Sequence, residues 1–317
     1  MNFPVFDLHC DTALELLGRK FQEIGSLREN ELHIDLMRAK DFPAYVQCFA
    51  CFTSDSKTLP IGIEPEELFR KEKNAILSQI DANADMIGQA FSVEDIEKHR
   101  LENRISAVLT IEGSAGIGFN PAALDDAYAA GFRITTLGWN ESNPLAGSHK
   151  TGEGLSEKGK EYVLKAQNLG MLVDVSHISD AAFWDIMEIT QGPVIASHSN
   201  SRSVWNVSRN LTDEMFLAIA QTGGVVGINL YAYFLGKEPD LDTVCDHIEH
   251  FLSLDPSGKH IALGGDLDGC EELPKGFAGI QDYQKLAQRL LERGMKENTV
   301  MDIFWNNAFE LMKRTWK

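Results

Sequence analysis

The segment VFDLHCD, residues 5–11, begins with apolar residues and ends in His9 and Asp11. Side chains alternate across a β-strand, so His9 and Asp11 should project to one side and Cys10 to the other. The pattern indicates a buried strand with reactive side chains at its carboxyl end. If the fold repeats this unit, other strands should end in the same residue types.

Seven further segments have the same near-continuous apolar character, which favours strands covered on both faces. The eight predicted strands are 5–11, 44–52, 105–113, 132–140, 171–177, 193–199, 225–230 and 260–269. Helical patterns lie between them. Ser92 and Asp95 have capping-box spacing, and the predicted helices 156–170 and 212–224 end in glycine. This alternation predicts an α/β fold, a (β/α)8 TIM barrel, with residues 1–317 forming one catalytic domain.

Composition restricts the class of protein. The chain has 317 residues, of which 44% are hydrophobic and 24% charged, and its net charge is −18. This charge disfavours nucleic acid and anionic membrane partners. We see no apolar run of about 18 residues and no signal-peptide pattern. The five cysteines are too sparse for a disulfide framework, so we expect a cytoplasmic protein.

Five of the eight predicted strands end in potential metal ligands: His9 with Asp11, Glu112, His177, His198 and Asp266. The carboxyl ends of barrel strands meet at one face of the barrel. Histidine and carboxylate are the usual ligands of catalytic zinc, and this set exceeds the needs of one four-coordinate ion. It suits two ions bridged by a carboxylate, for which Glu112 is well placed along the ring of strands.

Other polar features have simpler interpretations. Cys48 and Cys51 form a C-x-x-C within an apolar strand and are interpreted as buried core residues. The loop EGSAGIG, 112–118, lacks the spacing of a phosphate-binding loop. The remaining histidines lie in predicted helices, loops or a strand beginning and are weaker candidates: His33, His99, His149, His247, His250 and His260. His247 and His250 are three apart on a predicted helix and could bind a metal, but no other ligand types converge on them, so they are interpreted as surface residues.

Six motifs give the chain a family resemblance: DLHCDT (7–12), IEG (111–113), DVSH (174–177), ASHS (196–199), SRNLTD (208–213) and GGDLDG (264–269). With these motifs in this order, the sequence resembles the renal (membrane) dipeptidase family, the M19 metallopeptidases, in its soluble microbial form. The resemblance implies a barrel of the metal-dependent amidohydrolase kind. It also implies a zinc-dependent dipeptidase with two Zn²⁺ per chain, which hydrolyses L-Xaa-L-Xaa or L-Xaa-D-Xaa dipeptides with a metal-bridging hydroxide.

The resemblance also implies a role for each matching residue. One zinc would be held by His9 and Asp11, the other by His177 and His198, with Glu112 bridging. Asp266 would carry the proton of the attacking water. For substrate binding, the resemblance implies that Arg209 holds the terminal carboxylate and that Tyr231 lines the pocket. A homodimer is compatible with the resemblance.

One position departs from the family pattern. In TTLGWNESNPLAG (135–147), Trp139 stands where mammalian members have a histidine that contacts the substrate. The indole N–H is a donor but does not titrate, so Asn140 or Asn143 would have to supply any other polar contact. This departure leaves open a related metallohydrolase that acts on N-acyl amino acids, lactones or phosphoesters. A barrel that has lost catalysis and acts in binding is a third alternative.

Overall fold

The fold is an eight-stranded parallel barrel surrounded by helices. The computed structural model describes residues 2–18, 25–54 and 62–316. In these ranges the strands are β1 (Val5–Cys10), β2 (Tyr45–Phe52), β3 (Ile87–Gln89), β4 (Ile105–Glu112), β5 (Phe132–Thr136), β6 (Leu172–Asp174), β7 (Val194–Ile195), β8 (Val226–Ile228) and β9 (Ile261–Leu263).

The helices in the described ranges are α1 (Thr12–Leu16), α2 (Leu36–Ala39), α3 (Pro65–Ala82), α4 (Val93–Leu101), α5 (Ala123–Ala129), α6 (Glu157–Leu169), α7 (Asp180–Ile189), α8 (Asp213–Gln221), α9 (Ala232–Leu235), α10 (Leu241–Leu254), α11 (Tyr283–Glu292), α12 (Glu297–Met301) and α13 (Asn307–Thr315). A π-helical turn, Asp302–Asn306, joins the last two. The capping box of Ser92 and Asp95 forms at α4, and Gly170 ends α6 in the left-handed conformation, as predicted. None of these helices has the length and apolarity of a bilayer-spanning segment.

The strand order closes the barrel. Parallel pairing runs β7-β6-β5-β4-β2-β1-β9-β8, and a parallel bridge between Ala196 and Val226 joins the two ends. The predicted (β/α)8 TIM barrel is therefore confirmed. Strand β3 pairs only with β4, outside the ring. It has three residues, too few for a recognisable apolar pattern, and was not predicted.

The later strands are shorter than predicted because the chain turns away before the polar residues. β6 ends at Asp174 and β9 at Leu263. His177 and Asp266 then have positive φ values of 71° and 57°. The side chains expected at the strand ends therefore lie in the turns that follow these strands.

The C-terminal helices pack onto the barrel. Trp305 and Leu311 share a buried cluster with strand residues Phe6 and Val46, and Phe304 is buried against Phe3 and Tyr283. Phe304 and Trp305 are therefore part of the core.

Glycines permit close strand packing next to the predicted site. A Cβ atom on Gly227 would lie 2.0 Å from the carbonyl oxygen of Ser197, and one on Gly264 would lie 1.7 Å from it. Both contacts involve backbone, which cannot rotate away. Ser197 directly precedes His198, so this packing also determines where His198 lies.

We expect Gly264→Ala to destabilise the protein by about 2 kcal/mol or more, because the added methyl group overpacks the junction of β7, β8 and β9. Urea unfolding would measure the loss. Gly192→Ala is the matched control, because the nearest atom to its Cβ is 3.9 Å away and its backbone conformation suits alanine. Equal stability of the two variants would contradict the packing argument.

Candidate metal centre and substrate cleft

Four of the five predicted metal ligands lie around the fifth, the carboxylate of Glu112. Its Oε2 lies 3.2 Å from His9 Nε2, and His9 Nε2 lies 3.6 Å from Asp11 Oδ2. Its Oε1 lies 3.0 Å from His177 Nε2 and 3.8 Å from His198 Nε2. The two oxygens of Glu112 thus face two different groups of ligands. The structure brings together residues that are as much as 189 positions apart in the chain (9 to 198).

The two facing histidines are arranged as ligands for a cation. His177 Nε2 and His198 Nε2 are 2.9 Å apart. His177 Nδ1 lies 3.0 Å from Asn140 Oδ1, an acceptor, so the Nδ1 carries the proton. His198 Nδ1 faces the Ser197 hydroxyl, which donates its own proton to Asp174, so this Nδ1 is also protonated. Both Nε2 atoms are then lone-pair acceptors pointed at one another, which suits a shared positive charge.

Unpaired buried atoms support the same conclusion. His9 Nε2, Asp11 Oδ1 and Glu112 Oε2 are buried and make no aligned hydrogen bond. His9 and Glu112 are close enough for an ion pair, but the angles are poor for a hydrogen bond. Such atoms are costly to bury without a partner. A histidine and carboxylate donor set fits a catalytic divalent metal, so the residues present fit the group that the sequence implies.

The ligand atoms form two overlapping groups. His9, Glu112 and His198 offer atoms within 4.8 Å of one another, as do His9, Asp11 and Asp266. His9 belongs to both groups, whereas the sequence resemblance assigned it to one ion. The assignment of each ligand to a particular ion therefore remains a prediction.

Asp266 lies at the edge of this centre and is suited to proton transfer. Its Oδ1 is 3.9 Å from His9 Nε2, and its Oδ2 accepts a hydrogen bond of 2.9 Å from Asn229 Nδ2. Burial raises the pKa of Asp266 to about 7, and the carboxylates of Asp11 and Glu112 add to the rise. Burial and the charge of Glu112 similarly raise the pKa of Asp11 to about 6.

The pKa values of the three histidines and of Glu112 are set by burial and by neighbouring charges. Burial opposes both charges of the His9–Glu112 pair, but their mutual attraction outweighs it. The pKa of His9 is raised well above its ordinary value and that of Glu112 is lowered. Burial, together with the positive charge of Arg209, holds the pKa values of His177 and His198 well below the usual range. These two rings are therefore neutral and available as ligands.

Sequence reasoning missed a second layer of polar residues behind the ligands. Asp174 Oδ1 accepts from the backbone N–H groups of Ser176 and Ser197, each at 2.9 Å. Its Oδ2 accepts from the Ser197 hydroxyl, which in turn orients His198 through Nδ1 at 2.7 Å. The available signal was that Asp174 lies three residues before His177 in DVSH and that Ser197 directly precedes His198 in ASHS.

His149 was a weak candidate in the sequence analysis, but the structure places it at the site. It lines the cleft above the metal centre, with Nε2 2.8 Å from Asn140 Oδ1 and Nδ1 2.8 Å from Ser208 Oγ. Burial and the charge of Arg209 lower its pKa to about 3, so the ring is neutral. His99 is also buried, with Nδ1 paired to Ser106 Oγ. The surface interpretation of His247 is wrong, because its ring is buried and its Nε2 donates to the carbonyl oxygen of Leu235. Cys48 and Cys51 are buried free thiols, as expected.

An open cleft of about 510 Å³ lies over the metal centre, large enough for a small peptide. Trp139 and Tyr231 line it, as the sequence predicted, together with Phe52, Tyr233 and Phe234. The ring of Trp139 meets Phe52 edge-on at 5.0 Å.

Arg209 lines a smaller adjoining cavity, which shares His149 and His177 with the cleft. The guanidinium is buried, donates to Ser199 Oγ and to the carbonyl of His198, and lies 5.4 Å from the ring centre of Phe234. Its Nε has no hydrogen-bond partner among the described residues. A ligand carboxylate in this cavity would give the Nε of Arg209 the acceptor that it lacks.

A parallel β/α barrel with a buried carboxylate between histidines at its carboxyl face defines a metal-dependent hydrolase. Comparison with known proteins narrows the class. The model of the membrane dipeptidase family, peptidase family M19, matches residues 1–317, so the chain belongs to this family and is a metal-dependent dipeptidase.

Relatives and solved structures agree with this assignment. An uncharacterized dipeptidase of Schizosaccharomyces pombe is 34% identical over 99% of this chain and 81% of its own length. Dipeptidase 3 of Mus musculus is 26% identical over 99% of this chain and 64% of its own. A crystal structure of a metallopeptidase from Rhodobacter sphaeroides, liganded with a phosphinate mimic of L-Ala-D-Ala, superposes with a TM-score of 0.89 at 24% identity, covering all of both chains.

We expect Ser197→Ala to weaken metal binding by about 10-fold to 100-fold, because His198 loses the partner that fixes its tautomer and orientation. Competition with a chelating dye would measure the affinity. Ser253→Ala is the control, because that hydroxyl bonds a helix carbonyl on the surface. Unchanged affinity in Ser197→Ala would contradict the orienting role of Ser197.

Metal binding should strengthen as the pH rises from about 5 to about 7.5. In the metal-free protein the raised pKa values of Asp11 and Asp266 favour their protonated forms in the folded state. Their contribution to stability is therefore present at low pH and is lost as the pH rises through about 6 and 7. A metal ion needs Asp11 in its ionised form, and its positive charge would lower the pKa of the neighbouring Asp266, so binding releases protons in this range.

Calorimetric titration in two buffers of different ionisation enthalpy would count these protons. We expect more protons released at pH 6 than at pH 8. Affinity and proton release that stay constant between pH 5 and 7.5 would contradict the assignment of these carboxylates to the metal centre.

Proposed function

We propose that the protein is a binuclear zinc dipeptidase that hydrolyses L-Xaa-L-Xaa or L-Xaa-D-Xaa dipeptides. The observation that carries the proposal is the position of Glu112, whose two oxygens lie 3.2 Å from His9 Nε2 and 3.0 Å from His177 Nε2. A single ion would not require a buried carboxylate to face ligands on both sides. The dipeptide mimic bound to the Rhodobacter sphaeroides metallopeptidase supports the substrate class.

The metal ligands in this proposal are His9, Asp11, Glu112, His177 and His198. When bound there, two zinc ions would generate a hydroxide at neutral pH and polarise the scissile carbonyl. The rest of the chemistry belongs to the chain itself. Asn140 and Ser197 hold the two histidine tautomers, so that both Nε2 atoms present lone pairs.

Asp266 moves the proton in this proposal. It is ionised when it accepts a proton from the attacking water, and it then delivers that proton to the leaving amine. A pKa of about 7 is suited to both steps, since the group can hold and release a proton at neutral pH. Asn229 keeps one oxygen of Asp266 fixed, which leaves the other directed toward His9.

The substrate would lie in the cleft with its terminal carboxylate toward Arg209. The guanidinium is buried, and its planar fork matches a carboxylate. Trp139 and Tyr231 supply flat walls for the substrate side chains.

We place the enzyme in the cytoplasm, a proposal supported by five free cysteines. The absence of nucleic acid and membrane partners remains a prediction from the sequence, and so does the homodimer.

A substrate panel tests the function. Protein reconstituted with zinc should hydrolyse L,L and L,D dipeptides and should lose this activity when the C-terminal carboxylate is amidated. Failure to cleave any dipeptide with the metal bound would defeat the proposal. Faster turnover of an N-acyl amino acid, a lactone or a phosphoester would favour the related-metallohydrolase alternative.

We expect Asp266→Asn to lower kcat by about 100-fold to 10,000-fold with the metal content unchanged, because it removes proton transfer and keeps the shape of the side chain. Steady-state kinetics and elemental analysis together measure this. Asp126→Asn, on the exposed face of α5, is the control. Loss of metal from Asp266→Asn would show instead that Asp266 is a metal ligand.

A further inference from the structure

Charge is distributed unevenly around the cleft. Among the described residues that line it, Lys150 is the only lysine or arginine. The carboxyl groups that line it are Asp11, Glu15, Glu112, Asp266, Asp268 and Glu271. Metal ions would neutralise the carboxylates that they bind. Lys150 and the outer acids, Glu15, Asp268 and Glu271, would then be the charges that select the substrate.

The strand order places the outer acids and Lys150 on opposite sides. Glu15 follows β1, and Asp268 and Glu271 follow β9, which is the neighbour of β1 in the barrel. Lys150 lies in the connection between β5 and α6. β5 is separated from β1 by β2 and β4 in one direction, and from β9 by β6, β7 and β8 in the other. The cleft therefore has an acidic side and, across the barrel, a basic side.

Lys150 stands on a turn that is held in place. Its backbone N–H donates to Ser148 Oγ at 3.2 Å, and that hydroxyl donates to the carbonyl of Asn140 at 2.8 Å. The backbone of the preceding residue, His149, is bonded to the carbonyl of His177 at 2.9 Å. The turn is thus tied directly to a metal-ligand candidate. The position of Lys150 relative to the metal centre is fixed by the fold.

The ammonium group itself has no fixed partner in the described chain. Lys150 is exposed and makes no ion pair with a described residue, whereas many lysines and arginines elsewhere in these ranges do. Its Nζ lies 6.0 Å from the ring centre of Trp139. A cation beside an aromatic wall can receive a ligand carboxylate while the ring packs against the methylene groups of that ligand.

We propose that Lys150 makes the enzyme prefer dipeptides with an acidic side chain on the C-terminal residue. The inference rests on the dipeptidase function proposed above. His149, next to Lys150, also lines the cavity of Arg209, so Lys150 lies on the side where the terminal carboxylate is expected. The acidic side of the cleft suits the free amine of the N-terminal residue. An acidic side chain on that residue would face Glu15, Asp268 and Glu271 instead.

The test compares isosteric substrates with the zinc-loaded enzyme. Wild type should cleave Ala-Glu with a kcat/KM about fivefold or more above that for Ala-Gln, as expected for one partly exposed ion pair. Glu-Ala should have no such advantage over Gln-Ala. Lys150→Met should bring the Ala-Glu to Ala-Gln ratio close to one, and Lys150→Glu should reverse it. The wild-type ratio should also fall as salt is added, because exposed charges are screened.

Lys158→Met is the matched control, since it removes an exposed lysine from α6 that does not line the cleft. It should leave the ratio unchanged. A wild-type ratio near one, or a ratio that Lys150→Met does not alter, would overturn the inference. An equal loss on both substrates in Lys150→Met would also overturn it, since Lys150 would then act on a group common to both. If the wild type cleaves no dipeptide, the dipeptidase proposal itself fails. If it cleaves dipeptides without preferring Ala-Glu to Ala-Gln, only the proposed role of Lys150 is contradicted.

Discussion

The structure depends on the burial of Glu112 between two groups of ligands. Asp11, Glu112 and Asp266 are nearly inaccessible to solvent and face a common space. Two like charges 4 Å apart repel by about 4 kcal/mol at an effective dielectric constant of 20. His9 balances one of these charges, and the histidines beyond Oε1 are neutral and point lone pairs at each other. In the proposed function, cations on both sides of Glu112 would relieve the carboxylate repulsion and would also bind the facing histidine lone pairs.

The barrel makes this concentration of charge tolerable by placing it where the strands end. His177, Asp266 and Asp268 all have positive φ, which costs about 1–3 kcal/mol at each such residue. The cost is offset locally: Asp268 accepts from Thr12 Oγ1 and from the backbone of His33, each at 2.6 Å. Deeper in the barrel, Asp7 accepts from His9 and Gly265 backbone N–H groups and from the Tyr283 hydroxyl. The hydrogen-bonded interior around Asp7 therefore supports the strained turns that hold the polar residues at the carboxyl face of the barrel.

Much of the fold and of the ligand set could be predicted from the sequence, for identifiable reasons. The barrel was recognisable because eight apolar runs recur with helices between them, and the ligands because His9, Glu112 and His198 follow such runs directly. The second layer could not be found in this way. Nothing local shows that Asp174 reaches Ser197, or that Asn140 serves both His149 and His177, since these contacts are set by the tertiary fold. Strand β3 was missed because three residues carry too little pattern.

The most direct test of the account is the metal content and position in a crystal of the zinc-loaded protein, determined by anomalous diffraction at the zinc edge. The account predicts two zinc ions per chain, each about 2.0–2.2 Å from a different oxygen of Glu112. Histidine nitrogens should complete each site, with His9 on one ion and His177 and His198 on the other. A single fully occupied ion, or two ions of which one does not touch Glu112, would contradict it.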